Sequence, residues 1–174
     1  REDTIVYEAA CDLFLKYDKY EECAKILMQA RDLHVSSKKI NEAFMTERLY
    51  DADAYRFEFS ATVLSCSPAT GGWQVVLDRT AFFPEGGGQD GDLGTLDDAK
   101  VLDTQICDGI VSHLTDAPFA VGQTVVGKVD AVERFRRMQN HSGEHIVSGI
   151  VHSTFGFENV GFHLGEREMT MDYD

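Results

Sequence analysis

Long apolar runs, paired cysteines and positive charge are all scarce in this sequence. No apolar run approaches the roughly 20 residues of a membrane-spanning helix, so no membrane association is expected. The opening REDTIVYEAACDLF puts acidic residues where a secretory leader carries a basic segment. A cytoplasmic protein is therefore expected. The four cysteines, Cys11, Cys23, Cys66 and Cys107, show no C-x-x-C spacing and stand too far apart for a zinc finger or ribbon. Buried free thiols are the plain reading. With 30 acidic against 16 basic side chains the formal charge is −14. That argues against a protein that coats nucleic acid non-specifically, because phosphate contacts need clustered Lys and Arg. The densest basic run is ERFRRMQNH, where Arg134, Arg136 and Arg137 precede His141. It is either a solvated helix face or a local phosphate contact.

What is present is a normal globular composition: 174 residues, 43% hydrophobic, enough for one ordinary domain or two small ones. Residues 3–33 carry apolar side chains at helical spacing, with Ile5, Ala9 and Leu13 followed by Ala24, Leu27 and Met28 after KYDKY. Two short antiparallel helices over residues 1–44, similar to one tetratricopeptide pair, satisfy that pattern. A single pair cannot bury its apolar face alone, so it docks on the rest of the chain or on another protein. From Phe57 the period changes to two, in FEFSATVLSC, WQVVLD, AKVLDTQI, IVSHLT and TVVGKVD, with turn signals at PATGG and Asp108-Gly109. A small β-barrel or sandwich is expected over residues 45–130. From Asp130 the period is helical for five or six turns, with Val132, Phe135, Met138, Ile146 and Ile150 on overlapping faces and Gly156 as the cap. The end, VGFHLGEREMTMDYD, predicts a turn and then a strand over Met169–Tyr173. The fold class is thus α+β.

His141 and His145 lie four apart in RMQNHSGEHIVSG. That step rotates a helix by about 400° and rises about 6 Å, so both rings leave one face. They are either two ligands of one metal ion or two surface histidines. His152, about 10 Å along the axis, cannot share that ion. Glu144 completes H-x-x-E-H, the pattern of the inverted zinc proteases, in which the glutamate is the general base. Such an enzyme needs a third ligand well downstream, and only Glu158, Glu166 and Glu168 are available there.

LDRTAFFPEGGGQDGDLGTL, residues 77–96, carries the stronger signal. Three consecutive glycines, Gly86, Gly87 and Gly88, let backbone approach a ligand or a neighbouring segment closely. Gln89 follows with an amide that both donates and accepts, suited to reading a hydroxyl. A phosphate loop is excluded, since the required Lys and Ser or Thr are missing.

Taken in order, DRTAFFPEGGGQDGDLG, GKVDAVERFRRMQNHSGEHIVSG and VGFHLGE resemble the alanyl-tRNA editing family, the freestanding relatives of the editing half of alanyl-tRNA synthetase. The resemblance runs from Met45 to Asp174. It implies a barrel bearing the PEGGGQ loop, followed over residues 131–174 by the start of an α+β editing domain. It implies a zinc ion on His141 and His145, and hydrolysis of the ester joining serine or glycine to alanine tRNA. In those terms Glu144 is a general base or orients water, and Gln89 and the Gly86, Gly87 and Gly88 backbone contact the substrate end. Arg134, Arg136 and Arg137 then meet acceptor-stem phosphates. The family's zinc has two further ligands, a cysteine and a histidine in C-x-x-x-H, and none of the four cysteines here follows His145. The expectation is an editing protein cut short, with weak zinc affinity. His163, in GFHLGE, is a further candidate that either approaches the metal, lines the substrate pocket or is structural. Against this stand two other classes, the inverted zinc protease and a non-catalytic module that binds tRNA or protein.

Overall fold

The structure, a computed structural model, describes residues 45–165 and 168–174. The helical pair expected over residues 1–44 lies outside the described residues.

A two-residue strand β1 (Glu47–Arg48) and a single helical turn α1 (Leu49–Ala52) lead into β2 (Glu58–Ala69), β3 (Gly72–Leu77) and a short β4 (Arg79–Thr80). After the glycine-rich loop come β5 (Gly94–Leu96), β6 (Ala99–Cys107), β7 (Ile110–Thr115) and β8 (Thr124–Val129). Six of these strands close a barrel in the order β2-β3-β7-β6-β5-β8, while β1 pairs with β4 in parallel outside it. The 12-residue β2 makes closure possible by serving two neighbours. Its first half, from Glu58 to Thr62, pairs with β8, and its second half pairs with β3 after a register shift between Val63 and Ser65. Such an irregularity bends a strand and increases its twist, as barrel closure requires.

Alternation places Phe59, Ala61 and Val63 of β2 in the interior, with Val75, Leu77, Phe82, Leu96, Val101 and Val125. The β6–β7 hairpin turns on Asp108 and Gly109, both at positive φ (50° and 83°), as a two-residue loop matched to strand twist demands.

The chain then enters α2 (Ala131–Phe155). Asp130 caps it by accepting from the N–H groups of Val132 and Glu133, and Gly156, at φ 78°, ends it. At 25 residues α2 is longer than the five or six turns expected. An antiparallel hairpin follows, β9 (Asn159–Leu164) with β10 (Met169–Tyr173). The sequence pattern predicts only the second of these strands. The first, NVGFHL, does alternate at Val160, Phe162 and Leu164, but Gly161 in its middle reads as a turn residue and conceals it. None of the described helices is long and apolar enough to cross a membrane.

Candidate functional site

The site forms where α2 crosses the loop between β4 and β5. The helix face turned to the barrel is polar: Arg134, Arg137 and Glu144 are buried, with His141 and Ser148 half-buried on the same stripe. Val132, Phe135, Ile146 and Ile150, which the apolar periodicity assigns to the packed face, are exposed. The reason is hydrogen bonding. Arg134 donates to Asp92 Oδ2 (2.6 Å), Ala54 O (3.0 Å) and Ala81 O (2.5 Å). Arg137 donates to Gly91 O (2.7 Å) and lies 3.9 Å from Asp92 Oδ1. With side chains only 3% and 6% exposed, neither arginine can meet a tRNA phosphate, and that expectation is corrected for both. Only Arg136 remains half-exposed, and it holds Glu133 one turn back.

The glycines take separate tasks. Gly86 and Gln89 exchange two backbone hydrogen bonds (3.0 and 3.1 Å) around Gly87 and Gly88, whose φ values are 58° and 77°. A turn with two positive φ angles in succession favours glycine at both places. A Cβ on Gly88 would stand 2.1 Å from Phe162 O, and Leu164 donates its N–H to Gly88 O (3.0 Å), so the turn is seated on β9. Gly87 faces the site instead, its Cβ position 4.0 Å from His141 Cε1, and nothing lies within 4 Å of the one on Gly86.

The turn also delivers Gln89, 5% exposed, to His141. His141 Nδ1 donates to Gln89 Oε1 at 3.1 Å, and the Phe162 ring packs edge-on against the same imidazole, centroids 5.7 Å apart. One turn on, His145 Nδ1 meets Glu144 Oε2 at 3.1 Å. In its neutral form His141 gives its Nδ1 proton to the Gln89 oxygen and keeps the Nε2 lone pair free, whereas His145 Nδ1 makes a charge contact with the Glu144 carboxylate. The two ring centroids are 4.9 Å apart. Among the described residues His141, Glu144 and His145 group as possible metal donors, their ligand atoms within 4.8 Å of one another.

A neutral imidazole whose second nitrogen is held by an oxygen is what a zinc ligand requires; His141 has that arrangement, and His145 brings a second donor close enough to share an ion with it. Glu144 is held at one oxygen. Its Oε1 accepts from Ser148 Oγ (2.6 Å) and Asn159 Nδ2 (2.7 Å) while Oε2 lies beside His145. His163 is not brought to the pair. It alternates with Phe162 along β9, is exposed, and falls outside the donor group. His152 is exposed and pairs with Glu158.

Sequence reasoning passed over Asp92, Ser148, Asn159, Phe162 and Tyr173. Asp92 stands three residues past Gln89, and Ser148 continues the stripe 134, 137, 141, 144 at helical spacing. Those spacings are a usable signal. Nothing local marks Asn159 or Tyr173, because hairpin pairing alone brings them to the helix.

Three relatives among those that match the chain illustrate the likeness. It is 36% identical over 145 residues to the alanyl-tRNA editing protein Aarsd1 of Mus musculus, covering 76% of this chain and 34% of that protein. To Alanine-tRNA ligases it is 43% identical over 119 residues in Natronomonas pharaonis (64% of this chain, 13% of the ligase). In Ignicoccus hospitalis it is 36% identical over 115 residues (64% and 12%). The chain thus spans about a third of the length of the editing protein. A family model described as tRNA synthetases class II (A) matches residues 6–133, reaching ahead of Met45, where the motif-based resemblance starts. By this match the chain belongs to the class II (A) tRNA synthetase family, in its alanyl-tRNA editing group.

Proposed function

We propose that this chain carries an editing site that binds alanine tRNA and hydrolyses the ester to a wrongly attached serine or glycine, with zinc held by His141 and His145. The observation that carries this reading is the close pair of imidazoles, His141 and His145, beside a glycine turn that leaves room for a substrate end. Zinc, when bound, supplies a Lewis acid next to an ester that is already activated. The chain's own residues orient and select. Gly86 and Gly87 leave the approach to His141 open. Gln89 spends its oxygen on His141 and keeps its amide N–H groups without a partner among the described residues, available to a serine hydroxyl. Selection by such groups matters because a pocket sized for alanine cannot exclude glycine by size.

Glu144 is held through Oε1 by Ser148 and Asn159, which leaves Oε2, beside His145, to act as general base or to orient water. Of the three arginines, Arg136 alone is left to meet phosphate.

The test is deacylation of serine-charged alanine tRNA by the 174-residue chain, with and without added zinc, beside His141→Ala. Hydrolysis that rises with zinc and is lost in the variant is expected. Binding of the charged tRNA with no hydrolysis at any zinc level would reduce the chain to a binding module and end the catalytic reading.

A further inference from the structure

Within the glycine-rich loop it is the Gln89 side chain that meets the histidine pair, with Oε1 3.1 Å from His141 Nδ1. What sets that meeting is the backbone on either side of it. The base of the loop belongs to the barrel. Asp92 donates its N–H to Phe83 O (2.8 Å) and accepts that of Phe83 on Oδ2 (2.7 Å), Thr104 Oγ1 donates to Asp92 O (2.8 Å), and Glu85 donates its N–H to Thr104 O (2.9 Å). The turn belongs to β9, through the N–H of Leu164 on Gly88 O (3.0 Å). Between these two anchors runs an arm of three residues, Gln89, Asp90 and Gly91. The backbone of Gln89 bonds to Gly86 inside the loop, which fixes nothing relative to α2.

Arg137 makes that tie. Its Nη1 donates to Gly91 O (2.7 Å) and, at longer range, to Asp90 O (3.4 Å), two successive carbonyls of the arm. Among the described residues, His141 is the other side chain of α2 that hydrogen-bonds to residues 84–91. Arg134, one turn earlier, bonds instead to Asp92, Ala81 and Ala54, and so docks the helix on the barrel. Asp92 Oδ1 lies 3.9 Å from Arg137 and takes no hydrogen bond from it, so the carboxylate balances the charge without fixing the geometry. From Arg137 to His141 is four residues, about 6 Å along the same stripe of the helix. Adjacent turns of one rigid element thus hold the carbonyls that follow Gln89 and meet its amide.

We propose that Arg137 is a positioning residue that sets the Gln89 side chain against His141 by holding the Asp90 and Gly91 carbonyls. Its consequence for activity rests on the proposed editing function, whereas the placement of Gln89 can be read without tRNA or metal.

The test uses the full 174-residue chain, labelled with nitrogen-15 and free of metal. The side-chain amide signals of Gln89, identified by their loss in Gln89→Glu, are read from proton–nitrogen correlations. Arg137→Met keeps the apolar stem and removes the donors, and its Gln89 signals should move toward those of an unstructured glutamine. Leu77→Ala, a barrel-core variant that also lowers stability, should leave them in place. Arg137→Lys keeps the charge beside Asp92 but presents a compact ammonium in place of the planar fork, so its signals should move in the same direction by less. With serine-charged alanine tRNA and zinc, kcat of Arg137→Met should fall about 10- to 100-fold with KM within about threefold, as for a contact misplaced by about 1 Å. Gln89→Ala should add little to that loss in the double variant.

Unmoved Gln89 signals in folded Arg137→Met overturn the proposal, as does an equal movement in Leu77→Ala, which is general loosening. Losses of activity in Arg137→Met and Gln89→Ala that simply multiply overturn it as well. If Arg137→Met does not fold, Arg137→Lys decides by the same signals. A wild type that deacylates nothing while the Gln89 signals respond to Arg137 removes the editing reading and leaves the positioning one standing. Hydrolysis that the Arg137 variants leave intact does the reverse.

Discussion

A histidine shut inside the barrel ties folding to pH. His113, on β7, is fully buried, donates from Nδ1 to Val75 O (3.1 Å) and accepts from Thr80 Oγ1 at Nε2 (2.9 Å). Burial disfavours its charged form and lowers its pKa from 6.5 to about 4. As pH falls below 6.5 the unfolded chain takes up the proton first, so this residue's contribution is complete above 6.5 and is lost progressively down to about 4. The loss amounts to about 3 kcal/mol. Urea midpoints at pH 7.5 and 4.5 should differ accordingly, and His113→Gln should remove that part of the difference. The glycine turn gives a second contrast at this scale. Gly88→Ala meets both a positive φ and the Phe162 carbonyl, and should cost more than about 2 kcal/mol. Gly86→Ala meets nothing and should stay within about 0.5 kcal/mol. Thermal midpoints of the two proteins would separate the seated glycine from the open one.

Among elements, α2 shows best what a sequence can and cannot say. Its existence, its Asp130 start and its Gly156 stop were legible, because capping chemistry is local. So were the strands with clean alternation, β2, β3, β6, β7 and β8. The three-residue β5 is too short to show a period, and β9 is hidden by glycine. The packed face of α2 does not follow from its apolar periodicity, which assumes burial by hydrophobic contact, whereas this helix docks by arginine. His141, His145, Gln89 and the glycines were legible as a site because motif spacing survives without coordinates; their partners across the hairpin were not. Asp92 serves Arg134 and Arg137 together, so Arg134→Met should cost about 3–5 kcal/mol by stranding a buried carboxylate. Adding Asp92→Leu should recover part of that loss in the same unfolding assay. Arg136→Ala should change stability little, within about 0.5 kcal/mol.

At the level of the whole molecule, stability resides in the barrel, where the fully buried side chains are concentrated. Leu77→Ala, at a fully buried site, should cost about 2–5 kcal/mol, while Ile150→Ala on the open side of α2 should cost far less; chemical denaturation measures both. The helix itself is fastened unevenly. Its first two turns are tied down by Asp130, Arg134 and Arg137, and from Gly149 to Phe155 every side chain but Val151 is exposed. Amide hydrogens along this single helix should therefore exchange with solvent on a gradient, slowly near Arg137 and much faster past Ser148. His141 and His145 stand where the slow part gives way to the fast. An ion joining them would clamp one helical turn at that border, and its arrival would be felt as slowed exchange in the free-running end.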